Sequence, residues 1–383
     1  MDTVHIVAAK RSPIGKFGGG LREVSAAELA TQVAAAVVPG AARALVGEVI
    51  LGQVIQAGSG MNVARQVALR LGLPHAVPSY TVNMACGSSL KAVALGAASL
   101  RHGDSSVVLA GGVENMSAAP HLLPDLRWGR KLGDVSALDS IQTDGLTDPF
   151  LRVVMGETAE RIVDLLGISR EDQDVFAAES QARAAGSVEA SAREIVAVEN
   201  RRGRIEKDEH PRPESTLEAL SKLAPVFRPD GTVTAGNASG INDGAALLLL
   251  ARGDALGKLG LESRARVVGW CATGCDPATM GLGPVGAVRG LLEKTGWTQS
   301  SVDAFEINEA FAAQTLGCIR QLGLPGERVN IRGGAIALGH PIGASGARVL
   351  VTLLHVLEDA GLRRGVASLC IGGGMGIAVA IER

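Results

Sequence analysis

Residues 79–112 read SYTVNMACGSSLKAVALGAASLRHGDSSVVLAGG, and the order of patterns inside this stretch decides the fold class. Ser79–Asn83 reads as a strand. Cys86-Gly87-Ser88-Ser89 then opens an Ala/Leu segment of helical spacing that runs to about Leu100, followed by a buried strand at Ser106–Ala110 that ends in glycines. Upstream, Val4–Ala9 and Glu48–Ile55 are also strand-like. Between them, Ser25-Ala26-Ala27-Glu28 has the form of a capping box, with Leu29, Val33, Ala36 and Val37 on one helical face. The series is βαβαβαβ, which predicts a parallel sheet covered by helices on both faces.

The same order recurs towards the carboxyl end. Arg264–Trp270, Asp303–Ile307 and Val366–Cys370 are strand-like, with helical patterns starting at Val285, Ala310 and Ala344. In each half a small-residue helix leaves a reactive-looking turn and leads to a strand ending in glycines. The turns are Cys86-Gly87-Ser88-Ser89 and Gly339-His340-Pro341-Ile342-Gly343; the strand ends are Ala110-Gly111-Gly112 and Cys370-Ile371-Gly372-Gly373-Gly374. This is the trace of an internal duplication. Between the halves, about Met116 to Ile241, lies a different stretch, with helical segments at Glu157–Leu166 and Ser169–Ala185 and a charged run at Glu199–Glu214 that predicts a solvated insertion. The expected division is 1–115 plus 242–263, an inserted 116–241, and 264–383.

Composition narrows the function classes. The chain has 383 residues, 46% apolar and 20% charged, enough for about two or three domains. Lys+Arg at 37 against Asp+Glu at 39 leaves a net charge of −2, so no global basic field exists to hold nucleic acid or an anionic membrane. Met1-Asp2-Thr3-Val4-His5 lacks the basic and apolar regions of a secretory signal, and the closing Ile381-Glu382-Arg383 is not a peroxisomal address. Ile371 to Ile381 is Gly-rich and far short of the roughly 20 residues of a spanning helix. Cys86, Cys271, Cys275, Cys318 and Cys370 are odd in number and scattered, which argues against a disulfide scaffold or a zinc site. A reducing, cytoplasmic setting without membrane insertion is expected.

Four positions carry chemical promise. Cys86 lies at a predicted helix start, where free N–H groups and the positive end of the dipole stabilise a thiolate; a buried structural cysteine is the alternative. His340 sits between Gly339 and Pro341 in a glycine-rich strand-to-helix turn that lets a ligand approach closely, and the turn lacks the Gly-Lys-Ser/Thr ending of a phosphate loop. Cys370 is at the carboxyl end of a strand, where sites gather in parallel sheets. Asn308, after the strand Ala304–Ile307, is placed to be a helix N-cap. Gly281-Leu282-Gly283-Pro284-Val285-Gly286, with Glu306 about twenty residues on, has the spacing of a dinucleotide fingerprint. Ten residues, Cys271–Met280, separate it from the preceding strand, so the required tight strand–turn–helix is missing.

With these residues in view, the chain resembles the thiolase family over essentially its whole length. The matching segments are Arg11–Gly19, Val82–Ser88, Gly111–Ser117, Met155–Glu160, Thr234–Gly240 and Asn308–Phe311, together with the Gly-His-Pro and Cys-Ile-Gly-Gly-Gly turns. The resemblance implies an αβαβα sandwich of two similar α/β halves with an inserted loop domain that helps bind coenzyme A. It implies a ping-pong acyl transfer in which two acetyl-CoA reversibly give acetoacetyl-CoA and CoA. Cys86 would carry the acyl group, with His340 activating its thiol, and Cys370 would move the α-proton. Asn308, through a held water, and His340 would form one oxyanion site; the backbone N–H groups of Cys86 and Gly372 would form the other. Arg212 and Ser239 would meet coenzyme A, and Leu146, Met155, Met280, Ala310 and Phe311 would line the pantetheine or acyl end. Acyl-CoA and CoA enter as substrates, no cofactor or metal is implied, and the assembly would be a homodimer or homotetramer.

Three positions depart from the family pattern: Ser89 where Gly is frequent, Val154 where His is often found, and Arg332 where Asn is common. None of the three removes a proposed reactive group. A broad-range thiolase of fatty-acid breakdown is the nearest rival reading. A ketoacyl synthase would not normally keep Cys370 together with the Asn-Glu-Ala-Phe segment, and a silent acyl-CoA-binding relative would be expected to lose Cys86, His340 or Cys370.

Overall fold

A computed structural model describes residues 3–383, so Met1 and Asp2 of the amino-terminal reading lie outside the described residues. The principal elements of the first half are β1 (Val4–Arg11), α1 (Ala26–Val37), β2 (Glu48–Gly52), α2 (Val63–Arg70), β3 (Ser79–Val82), α3 (Ser88–His102) and β4 (Val107–Asn115). The intervening segment carries α4 (Met155–Leu166) and α5 (Arg170–Gly186), and β5 (Asn242–Arg252) follows it. The rest runs β6 (Ala265–Gly274), α6 (Gly283–Thr295), β7 (Ala304–Ile307), α7 (Ala312–Leu322), α8 (Ala335–Leu338), α9 (Ser345–Asp359), β8 (Arg364–Ile371) and β9 (Met375–Glu382).

The strands lie side by side in the order β7-β8-β9-β6-β1-β5-β4-β2-β3. Within the first half, β2 pairs in parallel with β3 and β4, and β5 is wedged antiparallel between β4 and β1. The second half repeats this: β7 pairs in parallel with β8, and β9 runs antiparallel between β8 and β6. The expectation of a wholly parallel sheet is therefore corrected to a mixed one, because β5 and β9 enter each half as a reversed strand. The duplication is visible in the ordering, with β1, β5, β4 and β2 matched by β6, β9, β8 and β7. The counterpart of β3 shrinks to a single bridge between Phe305 and Val329.

Burial of both sheet faces produces five layers. Along β4, Val107 and Leu109 face one core while Val108 and Ala110 face another; along β5, Leu247 and Leu249 part from Leu248 and Leu250 in the same way. The outer face of the first half packs on α1 and α2, through Leu29, Val33 and Val67. The middle core holds α3 and α9 between both halves, with Leu90, Val93, Val349 and Leu353 meeting Leu369 and Val379. The outer face of the second half is covered by α6 and α7. Each fully buried leucine contributes about 1.5–3 kcal/mol, so β5 alone anchors the first half strongly. α1 begins after Ser25, whose Oγ accepts from the Glu28 N–H, so one half of the expected capping box forms, and Ala36 faces solvent rather than the core.

The segment from 116 to 241 lies off the main sheet, and its solvated character holds only in part. Arg201, Arg202 and Arg204 are exposed. Asp208, however, accepts from Arg11 Nη1 at 2.7 Å and Nη2 at 3.0 Å, and Glu209 accepts from the Gly20 and Lys16 N–H groups. Glu194 is wholly buried. Among the described residues, no helix is long and apolar enough to cross a membrane.

Candidate active site

Cys86 stands immediately before Gly87, the N-cap of the fifteen-residue α3. The turn that carries it is tightly specified. Ser88 Oγ accepts from the Met84 N–H at 2.8 Å and donates to the Ala85 carbonyl at 2.6 Å, while Ala85 is held at φ +42°. A non-glycine residue in that region is strained, and such strain collects at functional turns. The Cys86 sulfur receives its own backbone N–H and that of Gly372, both of which favour the thiolate. Burial outweighs them, and the thiol is pushed up to about 11.

His340 lies on a turn between α8 and α9 rather than on the expected strand-to-helix turn. Asn242 Oδ1 accepts from the His340 N–H at 2.9 Å, and Asn242 Nδ2 donates to the Gly15 carbonyl. Gly339 has φ +102°, and a Cβ there would come within 2.4 Å of Asn242 Cγ, so only glycine fits. Glu114 reaches across the halves: its carboxylate accepts from Val54, Ile55 and Gly343 N–H groups, fixing the turn just beyond His340, and burial pushes it up to about 7. His340 Nδ1 is 2.6 Å from Ser345 Oγ and 3.4 Å from Asn308 Nδ2, while Nε2 has no partner in the protein. Burial, with the nearby Arg348 charge adding to it, pushes this imidazole down to about 3, so the ring is neutral.

Cys370 is buried at the end of β8, next to a hairpin whose Gly373 and Gly374 take φ +83° and +86°. Burial first, then the neighbouring Cys86, hold its thiol well above the ordinary value. Asn308 does not cap a helix: α7 starts at Ala312, and Phe311 is its N-cap without a side-chain bond. Its amide instead sits behind His340, with Oδ1 accepting from Arg348 Nη2 at 3.1 Å. Arg348 is a buried cation whose Nη1 lies 3.7 Å from Glu306 Oε2. Glu306 is thus a core carboxylate, and the glycines at 281–286 serve packing. A Cβ on Gly283 would fall 2.0 Å from the Met375 carbonyl oxygen, so the start of α6 can touch β9 only through glycine.

A cavity of about 380 Å³ brings Cys86, His340 and Cys370 together with Leu146, Met155, Arg212, Ser239, Met280, Ala310 and Phe311. Asn308 and Gly372 are not among its lining residues; they adjoin it through His340 and the Cys86 sulfur. Leu146 belongs to a single π-helical turn, Ile141–Leu146, a geometry often found at functional sites. Arg212 is exposed, which sets it at the opening, and Ser239 donates its N–H to the Ala310 carbonyl at 3.0 Å. Val154, one of the departures, also lines the cavity. Ser89 and Arg332 have structural partners: Ser89 Oγ accepts from the Ala347 N–H in the first turn of α9, and Arg332 pairs with Glu194 and Asp359. The sequence reading did not assign His210, Ser345, Arg348 or Glu114 to the site. His210 lines the cavity and is pushed down to about 4 by burial and Arg212. A histidine two residues before Arg212, and a lone Arg in the apolar run of α9, were the signals available.

Residues 4–254 match the family description "Thiolase, N-terminal domain" and residues 261–383 match "Thiolase, C-terminal domain". The chain is 50% identical to the acetyl-CoA acetyltransferase of Chromobacterium violaceum, covering 99% of each, and 49% identical to that of Pseudomonas aeruginosa, covering 100% of each. Among solved structures it superposes on the Bacillus anthracis acetyl-CoA acetyltransferase with a TM-score of 0.97 and 45% identity, covering 100% of this chain and 99% of that one. Human mitochondrial 3-ketoacyl-CoA thiolase in complex with CoA matches at a TM-score of 0.96 and 42% identity, covering 100% of this chain and 98% of that one. With both halves matched and relatives at half identity along the full length, this chain belongs to the thiolase family.

Proposed function

We propose that this chain is an acetyl-CoA acetyltransferase that runs the reversible Claisen condensation of two acetyl-CoA to acetoacetyl-CoA and CoA through an acyl-Cys86 intermediate. The observation that carries this reading is the convergence, in one largely apolar cavity, of a thiol under two backbone N–H groups, an imidazole with a free Nε2 and a second buried thiol. His340 Nε2 takes the Cys86 proton as the sulfur attacks the acetyl carbonyl. The oxyanion that forms is stabilised by the Cys86 and Gly372 N–H groups. Proton balance then assigns the proton that CoA takes on leaving to Cys370, whose raised pKa keeps it a thiol until then. The resulting Cys370 thiolate removes the α-proton of the second acetyl-CoA. Protonated His340 holds the enolate oxygen together with Asn308, which acts through a held water. The enolate carbon attacks acyl-Cys86, and the departing Cys86 sulfur regains its proton from His340.

Residues 116–241 are proposed as the loop domain for coenzyme A, since Leu146, Met155, Arg212 and Ser239 all belong to it. Bulky Leu146, Met155, Met280 and Phe311 favour short acyl chains. A homodimer or homotetramer is supported by the open edge of β3, and by Trp128 and Leu132, each 91% exposed. Five free cysteines support a reducing, cytoplasmic setting. The test is thiolysis: acetoacetyl-CoA plus CoA should lose its enolate absorbance in the presence of the folded protein. A folded protein that leaves the absorbance unchanged contradicts the assignment.

A further inference from the structure

We propose that Ser345 is a positioning residue that sets the tautomer of His340, holding the ring proton on Nδ1 so that the Nε2 lone pair faces the cavity. This rests on the reading of His340 as the base for Cys86, and it deepens that reading. Ser345 Oγ lies 2.6 Å from His340 Nδ1 and 2.9 Å from the Pro341 carbonyl oxygen, and the side chain is wholly buried. A hydroxyl has one proton to give, and a carbonyl oxygen can only accept. With the Ser345 proton on the Pro341 carbonyl, which also accepts the Ala344 and Ser345 N–H groups at 2.9 Å each, the hydrogen between Oγ and Nδ1 comes from the imidazole.

A competitor makes this choice consequential. Asn308 Oδ1 accepts from Arg348 Nη2, a group that can only donate, so the Nδ2 end of the amide is turned to the ring. That N–H donor would favour a bare Nδ1 and a proton on Nε2. Its distance of 3.4 Å is at the limit of a useful hydrogen bond, against 2.6 Å for Ser345. With Nδ1 protonated, Nε2, which has no protein partner, is free to take a proton. With the opposite tautomer, Nε2 presents an N–H and cannot. Because the ring is neutral at rest, the tautomer is a genuine choice.

The experiment is ¹⁵N NMR of histidine-labelled full-length protein near pH 7, with the His340 signals identified among the seven histidines by their loss in His340→Asn. The wild type should show a protonated Nδ1 and an unprotonated Nε2. Ser345→Ala should shift the ring towards the Nε2–H form and slow acetylation of Cys86 by about 10²-fold, the lower end of general-base help, with KM for acetyl-CoA changed less than about twofold. Ser345→Thr keeps the hydroxyl and should keep the wild-type tautomer. A wild type with Nε2 protonated overturns the proposal, as does Ser345→Ala with an unchanged spectrum and acetylation rate. If Ser345→Ala does not fold, the wild-type spectrum decides alone. A wild type with no thiolysis but the Nδ1–H pattern would instead overturn the functional reading.

Discussion

At the scale of single residues, the site is built from groups kept neutral by burial. Cys86 is pushed up to about 11 and His340 down to about 3, so at neutral pH the pair rests as thiol and imidazole rather than as an ion pair. In the proposed mechanism charge appears only when a substrate carbonyl is there to receive it, where the N–H groups of Cys86 and Gly372 would stabilise it. Cys370 moves protons only in this scheme, so Cys370→Ala should slow condensation by about 10²–10⁴-fold, while Cys86 still takes an acetyl group with CoA leaving as a thiolate that solvent protonates. Quench-flow separation of the half-reactions checks this, and loss of acetylation with α-proton exchange intact would reverse the roles. Arg212 is exposed at the cavity mouth, where an ion pair contributes about 0–1 kcal/mol. Arg212→Ala should therefore raise KM for CoA a few-fold and leave kcat nearly unchanged, as expected for uniform binding; a large fall in kcat at constant KM would contradict it. Cys86, His340 and Cys370 were legible in the sequence because each sits beside glycines at the end of an element. Asn308 was misread as a cap, since its partners His340 and Arg348 are 32 and 40 residues away and nothing local announces them.

At the scale of elements, the parallel strands were legible and the reversed ones were not. Residues 245–251, AALLLLA, form a continuous apolar run of good helix formers, and periodicity cannot separate a doubly buried strand from a buried helix. β9 is hidden by glycines at its start, and only its pairing with β6 and β8 reveals it. The same limit explains Ser89. As a departure it had no reading, yet its hydroxyl lies on α3 and caps the Ala347 N–H of α9, so it ties the two central helices together. Ser89→Ala would leave that buried N–H unsatisfied, at about 1–3 kcal/mol. Urea unfolding should register this as a lower midpoint at unchanged m, and an unchanged midpoint would show that the bond contributes nothing.

At the scale of the whole molecule, charges bury themselves where the three segments of the chain meet. Glu194, from the inserted segment, accepts from Arg11 Nε and Arg332 Nη1, each at 3.0 Å, and from Thr352 Oγ1. Arg332 completes this cluster where the family often has Asn, and its value could not be read without knowing that Glu194 folds inward. In other buried acids burial outweighs the partners. Burial pushes Glu306 up to about 8, despite Arg348, and Glu114 up to about 7, from an ordinary 4.5. An acid raised on folding contributes stability that is complete below its ordinary value and is lost as pH rises through its folded value. Buried neutral His340 and His210 act oppositely, but only below the ordinary histidine value of 6.5. Stability should therefore fall between pH 6.5 and about 8, and Glu306→Gln should flatten much of that fall. Urea midpoints across the window decide, and a rise in the wild type would contradict the burial argument.

The central claim is that acetyl transfer passes through the sulfur of Cys86. Wild-type protein mixed with radiolabelled acetyl-CoA in the absence of free CoA, quenched in acid and digested, should carry its label on the peptide that contains Cys86, and Cys86→Ala should carry none. Label on a peptide that lacks Cys86, or undiminished in the variant, would contradict the claim.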